Sequence, residues 1–317
     1  MPPWMISRPA RGRSKRPCIA AISIIGGQPP RLFLYDVTSR YLEGEQNELG
    51  AYGYNRDGKR GKLQIVIGLL ADEEGEPLAV RVFEGNTSDP TTGVEQIKIL
   101  QEQFGVEELV FVGDRGMVKS KGKQALTAAG MRYITALTDP QIRRLLGPGT
   151  LPLNRFSETV SEVEAERVRY ILRRNPAEAE REQRRFEDKL TKIEAKIEAR
   201  NEQVREHPRC QPEAGRRAME AWVERHKLTG CVAIQLEGKQ LKLERHEAAI
   251  TRALELAGCY VVTTDVAPTA MSAQQVHDSY RALEKVERDF RTLKTGLLEV
   301  RPVGVRKESR TRGHVFC

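Results

Sequence analysis

Two short apolar runs that each end in an aspartate limit this chain more than any other feature. Leu32 to Val37 contains Asp36 within Leu34-Tyr35-Asp36-Val37-Thr38-Ser39, and Leu109 to Gly113 leads directly into Asp114. Runs of this length, rich in β-branched and aromatic residues, read as buried strands. A carboxylate in or just beyond a buried strand is costly unless a cation or strong donors face it. Singly, each aspartate reads as a strand-end or turn residue. The pair asks for a fold that brings two strand ends together.

The surrounding pattern supplies one. Leu63–Leu70 and Leu78–Phe83 are further apolar runs, separated by the turn-forming Glu73-Glu74-Gly75-Glu76-Pro77, and are expected to form a hairpin. Asp89-Pro90 reads as the cap and first residue of an amphipathic helix over Val94 to Phe104. The strand ending at Asp114, a helix around Lys121 to Ala129 and a fifth strand, Tyr133 to Leu137, follow. Three strands in meander and then alternating helix and strand predict an α/β fold. It is an RNase H-like mixed five-stranded sheet with helices on both faces.

Gly147-Pro148-Gly149 interrupts this pattern. Asn175-Pro176 is expected to cap a long charged helix running to about His207 and stopped by Pro208. Phe186, Leu190, Ile193, Ile197 and Val204 form its heptad-like seam, with Arg200 interrupting. A partner helix around Ala218 to Val223 and a hairpin, Val232–Leu236 with Gln240–Leu243, come next. Helix Glu247–Ala257, strand Tyr260–Thr264 and a last helix from about Ser272 to Lys294 complete the chain's regular elements. The expected organisation is a disordered basic tail over 1–30 and a first part of the core over 31–140. An insertion of helical hairpin plus β-hairpin spans 141–245, and 246–317 forms the second part of the core.

On the last helix, Tyr280, Glu287 and Lys294 are seven residues apart, two turns each, and so share one face. Val286, Phe290 and Leu293 form an adjacent apolar stripe. A carboxylate on such a helix, added to Asp36 and Asp114, makes a set of hard oxygen donors. That set suits two magnesium or manganese ions about 3.5–4 Å apart rather than zinc.

Here the chain resembles prokaryotic insertion-sequence transposases of the DDE class, the group marked by a Tyr-Arg-Glu-Lys signature. Tyr280, Glu287 and Lys294 match, and Leu283 stands where the signature has Arg. The spacing selects Glu287 over nearby Glu284. Further matching segments are Tyr35–Ser39, Glu84–Pro90, Gly113–Met117, Leu298–Pro302 and Arg312–Phe316. The resemblance implies Asp36, Asp114 and Glu287 as catalytic metal ligands for two Mg2+ or Mn2+ ions. It implies Tyr280 and Lys294 as DNA contacts, with Arg115 and Arg291 as weaker candidates. It also implies double-stranded DNA at transposon ends as partner, a homodimer, a cytoplasmic setting, and a chain truncated at both ends.

Composition agrees with a polyanionic partner: net charge is +8 and the pI about 9.3. No apolar stretch approaches membrane-spanning length, and the basic start before Cys18–Ile25 lacks a convincing cleavage site. The five scattered cysteines and five histidines have no metal-ligand spacing, so reduced thiols are expected. Gly53 to Arg60 imitates a phosphate-binding loop, but Arg60 replaces the required hydroxyl residue. No nucleotide cofactor is expected, and that loop reads as basic and solvated, within reach of DNA phosphates. Two rivals stay open: an RNase H-like nuclease or resolvase without transposition, and a non-enzymatic DNA-binding remnant.

Overall fold

The computed structural model describes residues 31–88, 92–93, 109–115, 118, 120–128, 130–207, 209–295, 300 and 303–316. The expected basic tail, the Asp89-Pro90 cap with its helix over Val94 to Phe104, Pro208, and the ends of the Gly113–Met117 and Leu298–Pro302 segments lie outside them. There are two compact units: residues up to Thr135 with Asp278 onward, and Ala136–His277.

In the first unit, β1 (Leu32–Tyr41), β2 (Gln64–Ala71), β3 (Pro77–Glu84), β4 (Val110–Gly113) and β5 (Arg132–Ala136) lie in the order β3-β2-β1-β4-β5. The first three pair antiparallel, whereas β4 runs parallel to β1 and β5 parallel to β4. This is the RNase H-like mixed sheet, with all five strands where the apolar runs predict them. β2 is buried along its whole length, as a continuous apolar run between two neighbours requires.

Alternation sorts the residues of β1 onto two faces. Phe33, Tyr35 and Val37 join a core with Val66, Leu70, Phe83, Phe111, Tyr133 and Leu126, the last on helix α1 (Ser120–Ala128). The other face carries Asp36, Thr38 and Arg40. It is covered by a helix near the chain's end, so helices lie on both sides of the sheet.

The second unit begins with helix α2 (Asp139–Leu146) and contains the antiparallel strands β6 (Ser161–Ala165), β7 (Val168–Arg174) and β10 (Cys259–Thr264), in the order β10-β7-β6. The sequence pattern did not reveal β6 and β7, because their stretch is dense in charge. The structure neutralises that charge: Arg169, only 2% exposed, pairs with Glu162 at 2.5 Å and donates to the carbonyls of Val266 and Met271. Their turn is Glu166-Arg167, with φ of 52° and 63°. Such a turn is ordinarily signalled by Asn-Gly or Asp-Gly.

Helix α3 (Pro176–Glu206) starts where expected, its Asn175 side chain accepting from the amides of Ala177 and Glu178. Its Leu190, Ile193 and Ile197 pack with Val223 of α4 (Pro212–Arg225) and with Val232, Ile234 and Leu241 of the β8–β9 hairpin (Val232–Glu237, Gln240–Arg245). Buried Asn201 pins the hairpin by exchanging two hydrogen bonds with the backbone of Leu241, at 2.9 and 2.8 Å. Helix α5 (Glu247–Leu254) adds Ile250 to the same core.

The single last helix expected from Ser272 is two helices, α6 (Ala273–Arg281) and α7 (Leu283–Lys294). At Ala282 the backbone stays right-handed but tightens, and the Lys285 amide bonds the Ala282 carbonyl three residues back. Tyr280 and Glu287 therefore sit on successive helices. Helix α8 (Glu308–Phe316) docks through Thr311, which bonds Asn47, and through Arg312, which donates to the Val82 carbonyl.

Candidate active site

Parallel pairing of β1 with β4 aligns Tyr35 with Gly113. The next residues are Asp36, within β1, and Asp114, immediately after β4, so both carboxylates stand at neighbouring positions. Asp36 is partly buried, with Oδ1 accepting the Val37 amide at 2.7 Å. Asp114 is exposed, and its Oδ1 accepts the Arg115 amide at 2.7 Å and the Tyr280 hydroxyl at 3.1 Å. Arg115 Nε lies 4.0 Å from the same oxygen.

Burial is the main cause that lifts the Asp36 carboxyl from 3.8 to about 7. The Val37 amide opposes it, the charges of Asp114 and Glu287 add to it, and Arg56 opposes it. Tyr280 is also raised, first by burial and then by the Asp114 charge, with Glu287 a smaller contributor. Asp36, Asp114, Glu287 and Tyr280 thus share one electrostatic neighbourhood.

Glu287 is exposed on α7, at the edge of the buried face of Leu283, Val286 and Phe290, one turn from both Leu283 and Phe290. Leu283, where the signature has Arg, is core packing here. Glu284 pairs instead with Arg281 at 3.3 Å. Among the described residues, no group of three or more His, Cys, Asp or Glu is gathered closely enough to hold a metal ion. The Oδ1 atoms of Asp36 and Asp114 are instead turned onto protein donors.

What fixes α7 is a set of contacts that the sequence did not signal. Arg40, four residues after Asp36 and fully buried, donates to the Phe290 carbonyl at 3.3 Å. It also lies 3.7 Å from the carboxylate of Asp57, whose side chain is 1% exposed. Lys294 Nζ is 3.7 Å from the same oxygen, and the Tyr41 amide donates to the other. Lys294, expected at DNA, is thus paired with Asp57 in the loop that imitates a phosphate-binding motif. Near the other end of α7, Lys285 donates to the Glu73 carbonyl at 2.8 Å. Its stem lies over Gly75, whose φ is +86° and where a Cβ would come within 2.8 Å of that of Lys285. Arg291 is exposed on α7.

Among the described residues no helix is long and apolar enough to cross a membrane, and Cys210, Cys231 and Cys259 are free thiols. A comparison with curated proteins found no match. Among solved structures, the chain is similar to the piggyBac transposase in a synaptic complex with hairpin DNA. Identity is 9%, the TM-score is 0.42, and the match covers 91% of this chain and 44% of that one. It is also similar to the Mos1 transposase in a paired-end complex with the left transposon end. There identity is 12%, the TM-score is 0.23, and coverage is 32% of this chain and 34% of that one. The chain therefore spans less than half the length of either. Residues 27–316, nearly the whole sequence, match the family described as the transposase DDE domain. With Asp36 on one central strand of an RNase H-like sheet and Asp114 just past the end of its neighbour, this chain belongs to the DDE transposase family.

Proposed function

We propose that the chain is the catalytic part of a DNA transposase, cutting and joining phosphodiester bonds at transposon ends, with Asp36, Asp114 and Glu287 as metal ligands. The observation that carries this reading is the neighbouring placement of Asp36 and Asp114, with Glu287 close enough for its charge to act on Asp36. The donor set fits two Mg2+ or Mn2+ ions: all three groups are hard oxygen donors, and a divalent cation offsets the burial that mainly raises Asp36 and the repulsion from Asp114 and Glu287 that adds to it. Such ions, when bound, activate an attacking water or hydroxyl and stabilise the leaving oxygen.

The chain's own residues prepare this site. Tyr280 orients Asp114 through its hydroxyl and stands next to where a phosphate must lie. Arg115 and Arg291 supply exposed positive charge for the DNA backbone, with net charge +8 in support. Lys294, held by Asp57, orients α7 and with it Glu287. Double-stranded DNA is the proposed partner, a homodimer the proposed assembly, and the cytoplasm the proposed setting. Residues 141–245 are proposed as an insertion, supported by the first unit being assembled from two separate stretches of chain.

Supercoiled plasmid incubated with the protein and Mg2+ or Mn2+ tests the reading. Metal-dependent nicking is expected, lost in Asp36→Asn, Asp114→Asn and Glu287→Gln. DNA binding that persists in the triple variant, with no cleavage by the parent at any metal concentration, would leave only a DNA-binding remnant. Nicking without joined products would point to a nuclease or resolvase.

A further inference from the structure

We propose that Tyr52 and Tyr54, in the loop between β1 and β2, form a stacking platform for unpaired nucleotides of a DNA strand entering the active site. The proposal rests on the transposase reading and names the form of DNA that this loop recognises.

Tyr52 is 64% and Tyr54 81% exposed, the two most exposed large apolar side chains among the described residues. Burial of a phenol ring is strongly favoured, so two neighbouring rings left in water need a reason. The backbone between them supplies one. At Gly53 a Cβ would lie 2.3 Å from the Gly85 carbonyl oxygen and 2.6 Å from Nε2 of the Gln64 side chain. The chain is pressed against β2 and the end of β3 at this point. Ala51 and Gln64 exchange backbone hydrogen bonds at 3.2 and 3.0 Å, just before it. With the backbone pinned between them, both rings stay outward.

The loop is held as firmly after Tyr54. Asn55 accepts the Asp57 amide at 2.8 Å, and the Arg56 amide donates to the Ser39 hydroxyl at 2.7 Å, three residues after Asp36. Asp57 is buried against Arg40 and Lys294. Its charge is therefore withdrawn from the loop surface, and Arg56, Lys59 and Arg60 leave that surface positive. The Arg56 guanidinium lies 5.7 Å from the Tyr54 ring centre. Arg56 also acts electrostatically on Asp36, which sets the platform beside the candidate active site.

Exposed rings interleaved with cations suit a single strand. Every base offers a π-face, stacking tolerates any sequence, and the cations follow the phosphates. In a duplex the bases are already stacked, and only the cations would find partners.

The test compares fluorescence anisotropy on two labelled probes, a blunt duplex and the same duplex with a single-stranded thymidine overhang. The parent is expected to bind the overhang probe about 10-fold more tightly, and to keep that preference as salt rises. The Tyr52→Ala/Tyr54→Ala variant should lose the preference while its blunt-duplex affinity stays, and Tyr52→Phe/Tyr54→Phe should restore it. Both side chains are solvent-exposed, so an unchanged melting temperature is expected and is measured alongside. Equal loss on both probes, no loss on either, or no rescue by phenylalanine would overturn the platform. A parent that binds neither probe would overturn the transposase reading itself.

Discussion

Asp36 concentrates the cost of the site in one side chain. Its carboxyl ordinarily titrates at 3.8 and here at about 7. Between those values the folded chain keeps a proton that the unfolded chain has released, so this group's contribution to stability falls as pH rises through the window. Asp36→Asn removes the penalty. Without divalent cations it should be more stable to unfolding than the parent at about pH 8, by on the order of a few kcal/mol, with the gain gone near pH 4. Calorimetric scans at both pH values check this, and a gain that grew on acidification would refute the assignment. Asp57 predicts the opposite response. Asp57→Ala strands Arg40, itself fully buried, and should cost about 3–5 kcal/mol in denaturant unfolding. A loss well under 1 kcal/mol would mean that Asp57 does not anchor Arg40.

Among the elements, the clearest signals were local ones. The strand that contains Asp36 and the strand that leads into Asp114 begin as apolar runs, and α3 opens on an asparagine cap. The β6–β7 hairpin lacked such a signal, since Glu166 and Arg167 occupy left-handed positions without glycine's freedom. Replacing the pair with Asn-Gly should therefore raise unfolding stability by about 1–2 kcal/mol, read from the shift in denaturation midpoint. No gain would mean that the turn carries little strain. Ala282 makes the complementary case. Helical periodicity runs through it unbroken, and no glycine or proline announces the tighter turn between Tyr280 and Glu287.

For the whole molecule, charge is the property that reaches furthest. With a net charge of +8, duplex binding should weaken log-linearly with salt as counterions are released. Titrations at several ionic strengths check the slope, and a flat response would exclude phosphate contacts as the main source of affinity. The sequence by itself determined the five strands of the first unit and their order along the chain, the aspartates within or just after two of them, the long capped helix and the basic balance. All of these are written in neighbouring residues or in composition. Tertiary structure alone decided what Asp57 does. In the sequence it is a loop acid between Arg56 and Gly58, and it becomes a buried anchor only because the fold brings Arg40 and Lys294 to it. Tertiary structure also decided that Leu283 is core and that Gly53 holds two tyrosines in water. Periodicity and capping act over a few residues, whereas these groups are far apart in the chain and meet only when strands and helices pack.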